Sequence, residues 1–211
     1  MDTPRSRPVS FARFAEYLTT AGPDRVGVAR SIIAQLGSAY SPATDHYAAI
    51  RRALIEGTCK GDLGQRLRQA VVNASPARKP AYRRLARRYR RWHLESGVAD
   101  ALVRKIEPRA CPDLPLPVRV SPAFVADLPD GRRLAVALYL KNDPLAPAAA
   151  AVMSRLLARA YPDRQPVVLD VQHSRAHTAA PPVPDYDEWL ATEATAFAGL
   201  AGRLSSATPA A

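Results

Sequence analysis

The sequence predicts an α+β fold, an N-terminal helical region followed by a small α/β sandwich, and three observations carry that prediction. Up to about residue 107 the apolar residues recur at helical spacing. Residues 109–122, RACPDLPLPVRVSP, hold four prolines and lose that period. Beyond them, two β-prone runs flank Pro129-Asp130-Gly131, and an alanine-rich helical stretch leads into the short apolar run PVVLDVQ.

In order, residues 1–9 are expected to be unstructured, with two prolines and little apolar content. Ser10 reads as the N-cap of a helix carrying Phe11, Phe14, Ala15 and Leu18 on one face, ended by Gly22-Pro23. A second helix runs from Pro23 to Gly37, with Val26, Ala29, Ile33 and Leu36 together. A third starts at Ser41-Pro42 and closes at Gly57, with Tyr47, Ile50, Leu54 and Ile55 inward. Asp62 can cap a fourth that ends near Asn73. The fifth spans 76–95, and a shorter helical segment covers 96–108. The helical region is therefore 10–107 and the α/β region 108–204. The latter is read as a strand at Val118–Val120, a hairpin over 123–141, a helix over 144–162, a strand over 166–172, a loop over 173–184 and a last helix. That helix opens on a capping box of Asp185 and Glu188. The tail from 205 to 211 is expected to fray.

The fifth helix, KPAYRRLARRYRRWHLE and its preceding residues, organises the functional reading. Arg78, Lys79, Arg83, Arg84, Arg87, Arg88, Arg90 and Arg91 stand against Glu95 alone, so a net +7 of the chain's formal +11 lies here. Tyr82, Leu85, Ala86, Tyr89 and Trp92 share one stripe, and the arginines fill the remaining arc. One account is a solvated back on a helix docked by its stripe. The other is an anion-binding surface, because like charges one turn apart repel until neutralised and guanidinium pairs well with phosphate or carboxylate. Only four of the 30 basic residues are lysine, which fits GC-rich coding, so clustering rather than arginine identity carries the argument.

Other motifs are sparse. Cys59 and Cys111 are the only cysteines and belong to no CxxC pair, which excludes a disulfide framework and a cysteine zinc site. Asp170, His173 and His177 suggest a metal set, but the HExxH pattern is absent and no metal is expected. There is no P-loop, G-x-S-x-G or G-x-G-x-x-G. No apolar run is long enough to span a bilayer and the N-terminus lacks a signal-peptide core, so a cytoplasmic protein with no membrane partner is expected.

YSPATDHYAAIRRAL (40–54), AYRRLARRYRRW (81–92) and the pair LYLK (138–141) and VVLDVQ (167–172) together resemble an uncharacterised family of small bacterial proteins with no assigned activity. The order helix, three strands, helix, strand is similar to the core of the PD-(D/E)XK nucleases. That resemblance implies a Mg²⁺ site in which Asp127 or Asp130 supplies the first acid and Lys141 the lysine. Tyr139 occupies the place of the second acid, so the motif is degenerate: either Asp170 on the next strand replaces that acid or the site is inactive.

The expected function is therefore a non-enzymatic basic protein, binding nucleic acid through phosphate contacts or serving as a subunit of a complex, with no cofactor. The alternatives are a divergent Mg²⁺-dependent nuclease using Asp127, Asp130, Lys141 and Asp170, and a protein-interaction subunit with an acidic partner. The exposure of Tyr82, Tyr89 and Trp92 separates a core stripe from a base-stacking face.

Overall fold

Alternation along the central strands sorts their side chains into two layers. The computed structural model describes residues 8–37, 45–178 and 185–206. Its main sheet contains β2 (Leu102–Arg104), β5 (Phe124–Asp127), β6 (Arg133–Tyr139), β7 (Gln165–Asp170) and β8 (Arg175–Thr178), in that spatial order. Pairing is antiparallel except between β6 and β7, where Leu134 lies beside Gln165 and Tyr139 beside Asp170. Phe124, Ala126, Leu134, Val136, Val167 and Leu169 face one core, while Val125, Ala135, Ala137 and Val168 face the other. Burial on both faces is what makes these runs apolar throughout.

Helices cover both sides, giving an α+β fold with the sheet as middle layer. One face packs against α1 (Phe11–Thr19), α2 (Asp24–Gly37), α6 (Pro147–Ala160) and α7 (Tyr186–Ser206). The opposite face packs against α3 (Ala48–Lys60), α4 (Leu63–Val72) and α5 (Lys79–Glu95). The helices of the first half are thus divided between the two faces of one sheet. A second, three-stranded sheet joins β1 (Val9–Ser10), β4 (Val118–Val120) and β3 (Arg109–Ala110), with β4 central.

Several expected elements change. Residues 96–108 are not a helix: Gly97 takes φ +79, α5 stops, and a 3-10 turn at Val98–Asp100 leads into β2. Because β2 takes the edge beside β5, the expected first strand, Val118–Val120, pairs in the small sheet instead. Val9 is a buried strand residue rather than part of a loose terminus. Part of the expected 173–184 loop is β8, and residues 179–184 lie outside the described residues, as do 1–7, 38–44 and the tail from 207. The start expected for α3 at Ser41-Pro42 falls in that group.

Local chemistry accounts for the boundaries. The Ser10 side chain accepts from the Arg13 amide at 3.4 Å, capping α1. Helix α3 runs through Gly57 to Lys60 and ends at Gly61, whose φ of +73 suits a residue without Cβ. Gly57 is needed for a different reason, since a Cβ there would lie 2.7 Å from the Leu63 Cα where α4 turns back on α3. Asp185 has φ +64 just before α7, so the expected capping box is not its entry. In the β5–β6 turn Gly131 has φ +85 and the Asp130 carboxylate accepts from the Arg132 amide at 3.0 Å, as turn chemistry expects.

Candidate docking surface on the basic helix

Helix α5 begins with proline in its first turn and presents opposite faces to core and solvent. Tyr82 and Tyr89 are 1% and 0% exposed, Leu85 is buried, and Trp92 is half-buried. The Tyr82 hydroxyl donates to the His46 carbonyl at 2.8 Å, and the Tyr89 hydroxyl lies 2.8 Å from that of Thr58. Burial pushes the Tyr89 phenol well above its ordinary value. Tyr82 and Tyr89 are therefore core residues, and of the three rings on the stripe only Trp92 keeps some open surface.

The outer arc carries Arg83, Arg84, Arg87, Arg90 and Arg91 exposed, with Arg78, Lys79 and Arg88 partly covered. Ten arginines outside this arc are ion-paired. Arg13, Arg25, Arg51, Arg66, Arg104, Arg132, Arg133, Arg155, Arg159 and Arg164 each meet a carboxylate. Among the described residues no carboxylate comes within 4.0 Å of any basic side chain of α5 or of Arg78. Among the described residues the one side-chain bond from this arc is Arg84 Nε to the Gln172 amide oxygen, at 3.4 Å. Single described arginines elsewhere, Arg30, Arg52, Arg68, Arg119 and Arg175, also lack a carboxylate partner, so what marks α5 is the gathering of unpaired arginines on one helix face.

Beside this arc runs a groove of about 560 Å³ between α4 and α5. Gly64, Leu67, Arg68, Val71 and Val72 line it from α4; Arg83, Ala86, Arg87, Arg90, Arg91 and Leu94 line it from α5. Val72 and Leu94 are 66% and 68% exposed, among the most open large apolar side chains described. Sequence reasoning overlooked Arg68, Val72 and Leu94. A signal existed for Leu94, which falls outside the Tyr82, Leu85, Tyr89, Trp92 stripe and among the arginines.

The residues assigned through the nuclease resemblance separate into two groups. Asp127 pairs in register with Arg133 at the start of β6, whereas Asp170 pairs with Tyr139 at its end. Six residues of strand put these levels roughly 20 Å apart. Asp127 is engaged by Arg104, Arg133 and Arg164, the last at 2.7 Å, and Asp130 pairs with Arg132 at 2.7 Å. Lys141, beyond the far end of β6, lies 3.5 Å from Glu16 of α1. Buried Asp170 accepts from the Leu145 amide at 3.0 Å and meets His173 Nδ1 at 2.9 Å. So Asp127 and Asp130 share one end of the sheet, Lys141 and Asp170 the other. His177 lies on β8 opposite Val168, and burial lowers its pKa. Among the described residues no three His, Cys, Asp or Glu side chains form a metal-binding group.

Asp127 is a structural hub. The hydrogen bond from Arg164, whose side chain is 3% exposed, holds its carboxyl below the usual range, with Arg104 and Arg133 adding to the effect. A depressed folded-state value stabilises the fold above the ordinary carboxylate pKa of about 4 and stops doing so as pH falls through the depressed value. Asp127→Asn is expected to lower stability by about 1–2 kcal/mol at neutral pH, by weakening the hold on Arg164, and by less at an acidic pH below the depressed value. Urea midpoints at the two pH values check this.

Both thiols are free, and burial raises the pKa of each, that of Cys111 to about 11, which keeps them protonated and poorly nucleophilic at neutral pH. No described helix is long and apolar enough to cross a membrane. Comparison of the chain with known protein families, with curated proteins and with solved structures finds no match.

Proposed function

We propose that this protein is a non-catalytic subunit that docks an acidic protein partner on its α4–α5 face. The observation that carries the reading is the set of exposed arginines on α5 that no carboxylate of the described chain neutralises, placed along a groove with an apolar floor. Exposed guanidinium groups beside exposed Val72 and Leu94 suit a protein surface, where apolar burial and charge pairing combine. Arginine is also a cation that interfaces favour.

A second reading, nucleic acid bound through its phosphates, is favoured by the same arc of arginines. It makes no use of the apolar floor, and burial of Tyr82 and Tyr89 removes two of the three rings that could stack on bases. The nuclease alternative rests on element order, while Asp127 and Asp130 stand at the opposite end of β6 from Lys141 and Asp170.

Fluorescence anisotropy with labelled polyglutamate and with a labelled duplex, each at about 50 mM salt, separates the two readings. Binding of polyglutamate and weak or absent binding of the duplex is the expected result. A duplex that binds more tightly, with log affinity falling against log salt at a slope near −5 for about six neutralised phosphates, transfers the function to nucleic acid.

A further inference from the structure

The α4–α5 groove constrains the shape of its occupant as well as its charge. Both walls are helices, so their backbone donors and acceptors are engaged internally and neither wall offers a sheet edge to an added strand. The floor, Leu67, Val71 and Ala86, offers an extended segment no hydrogen-bonding partners, and the groove holds no aromatic ring of the kind that grips polyproline segments. An occupant that buries backbone here must satisfy its own amides and carbonyls, which only a helix does locally.

Charge then fixes the pattern on that helix. The α5 wall presents Arg83, Arg87, Arg90 and Arg91, whereas the α4 wall presents Arg68 alone. The complementary helix has an apolar stripe toward the floor and its acids gathered on the flank that faces α5. From Arg83 to Leu94 the wall is about 16 Å long, which matches roughly three turns of a partner helix. The acidic helix of this chain, α7, is not available for the role in a second copy, because its Leu190, Ala194 and Phe197 are buried in the opposite layer.

Resting on the reading that the partner is an acidic protein, we infer that the groove takes an amphipathic helix of a partner, bearing an apolar stripe at i, i+3, i+7 and glutamate or aspartate along one flank. The partner's segment gains helicity on seating, and Val72 and Leu94 close over its apolar edge.

Two labelled peptides of about 14 residues test this. One carries leucines at helical spacing with glutamates on one flank, and the other has the same composition scrambled. They are titrated by anisotropy and circular dichroism against the full chain and against Val72→Asn/Leu94→Asn. Both altered positions are exposed, so folding is preserved, which unfolding curves verify. The patterned peptide is expected to bind about tenfold tighter than the scrambled one, to gain helix, and to lose about tenfold on the double variant. Equal binding of the two peptides without gain of helix overturns the helical groove while leaving acidic-partner docking intact. Failure of both peptides overturns both, and a duplex that binds where they fail assigns the face to nucleic acid.

Discussion

Tyr89→Ala is expected to lower stability by about 4 kcal/mol, enough to leave a substantial unfolded fraction in a domain of ordinary stability. Tyr89 is fully buried in the core layer that α5 shares with α3 and the sheet, its ring lies 5.5 Å from that of Trp92, and its hydroxyl meets Thr58 of α3 at 2.8 Å. Removing the ring opens a cavity in a close-packed layer whose members come from separate helices and strands and collapse little. Tyr89→Phe keeps the ring and loses only the hydroxyl contact. Thr58 retains its bond to the Leu54 carbonyl at 2.7 Å, so about 1 kcal/mol is expected. Leu94→Ala, five residues along the same helix, should change stability by less than about 0.5 kcal/mol because its side chain is already mostly in water. Urea unfolding of the three variants checks the order. A small loss for Tyr89→Ala would contradict a core role for the stripe.

That order depends on which side of α5 a residue occupies, and the side was readable in the sequence. Tyr82, Leu85, Tyr89 and Trp92 keep a strict helical period over three turns, long enough to be unambiguous. The β5–β6 hairpin was equally plain, since Asp130-Gly131 states its turn chemically. What escaped was determined by distant partners. Leu102–Arg104 is three residues long, too short to display alternation, and becomes a strand only by pairing with Val125, Ala126 and Asp127. Arg175–Thr178 is polar and pairs with β7 across a four-residue turn, leaving no apolar signal. The candidate surface divides in the same way. Its arginine arc lies within one helix and was visible, whereas the groove needs α4 beside α5, and the exposure of Val72 and Leu94 follows only from that packing. The nuclease set failed to converge for a related reason. The turn acids and the strand-end lysine were close in sequence, but an antiparallel hairpin sends the two ends of β6 to opposite edges of the molecule.

Arg87→Glu is expected to strengthen the fold and weaken docking. Arg87 stands four residues from both Arg83 and Arg91, so it takes part in two like-charge pairs at helical i, i+4 spacing, each destabilising by about 0.2–0.5 kcal/mol. A glutamate there turns both pairs attractive, and the sum is a gain of about 1 kcal/mol, seen as a rise in the urea midpoint at low salt that fades as salt screens it. The same change places a carboxylate in the middle of the groove's cationic wall, opposite the acids of the partner. Affinity for the patterned acidic peptide should fall about a hundredfold, since a pairing becomes a repulsion at the centre of the contact. Arg132→Glu provides the control. It reverses one charge in the β5–β6 turn, where Arg132 pairs with Asp130, and leaves peptide binding unchanged. Opposite signs for stability and binding at Arg87 are the signature of arginines retained for a partner at the expense of the free chain. If Arg87→Glu instead destabilised the helix and spared binding, the arginine arc would be a solvated back and the docking surface would have to lie elsewhere.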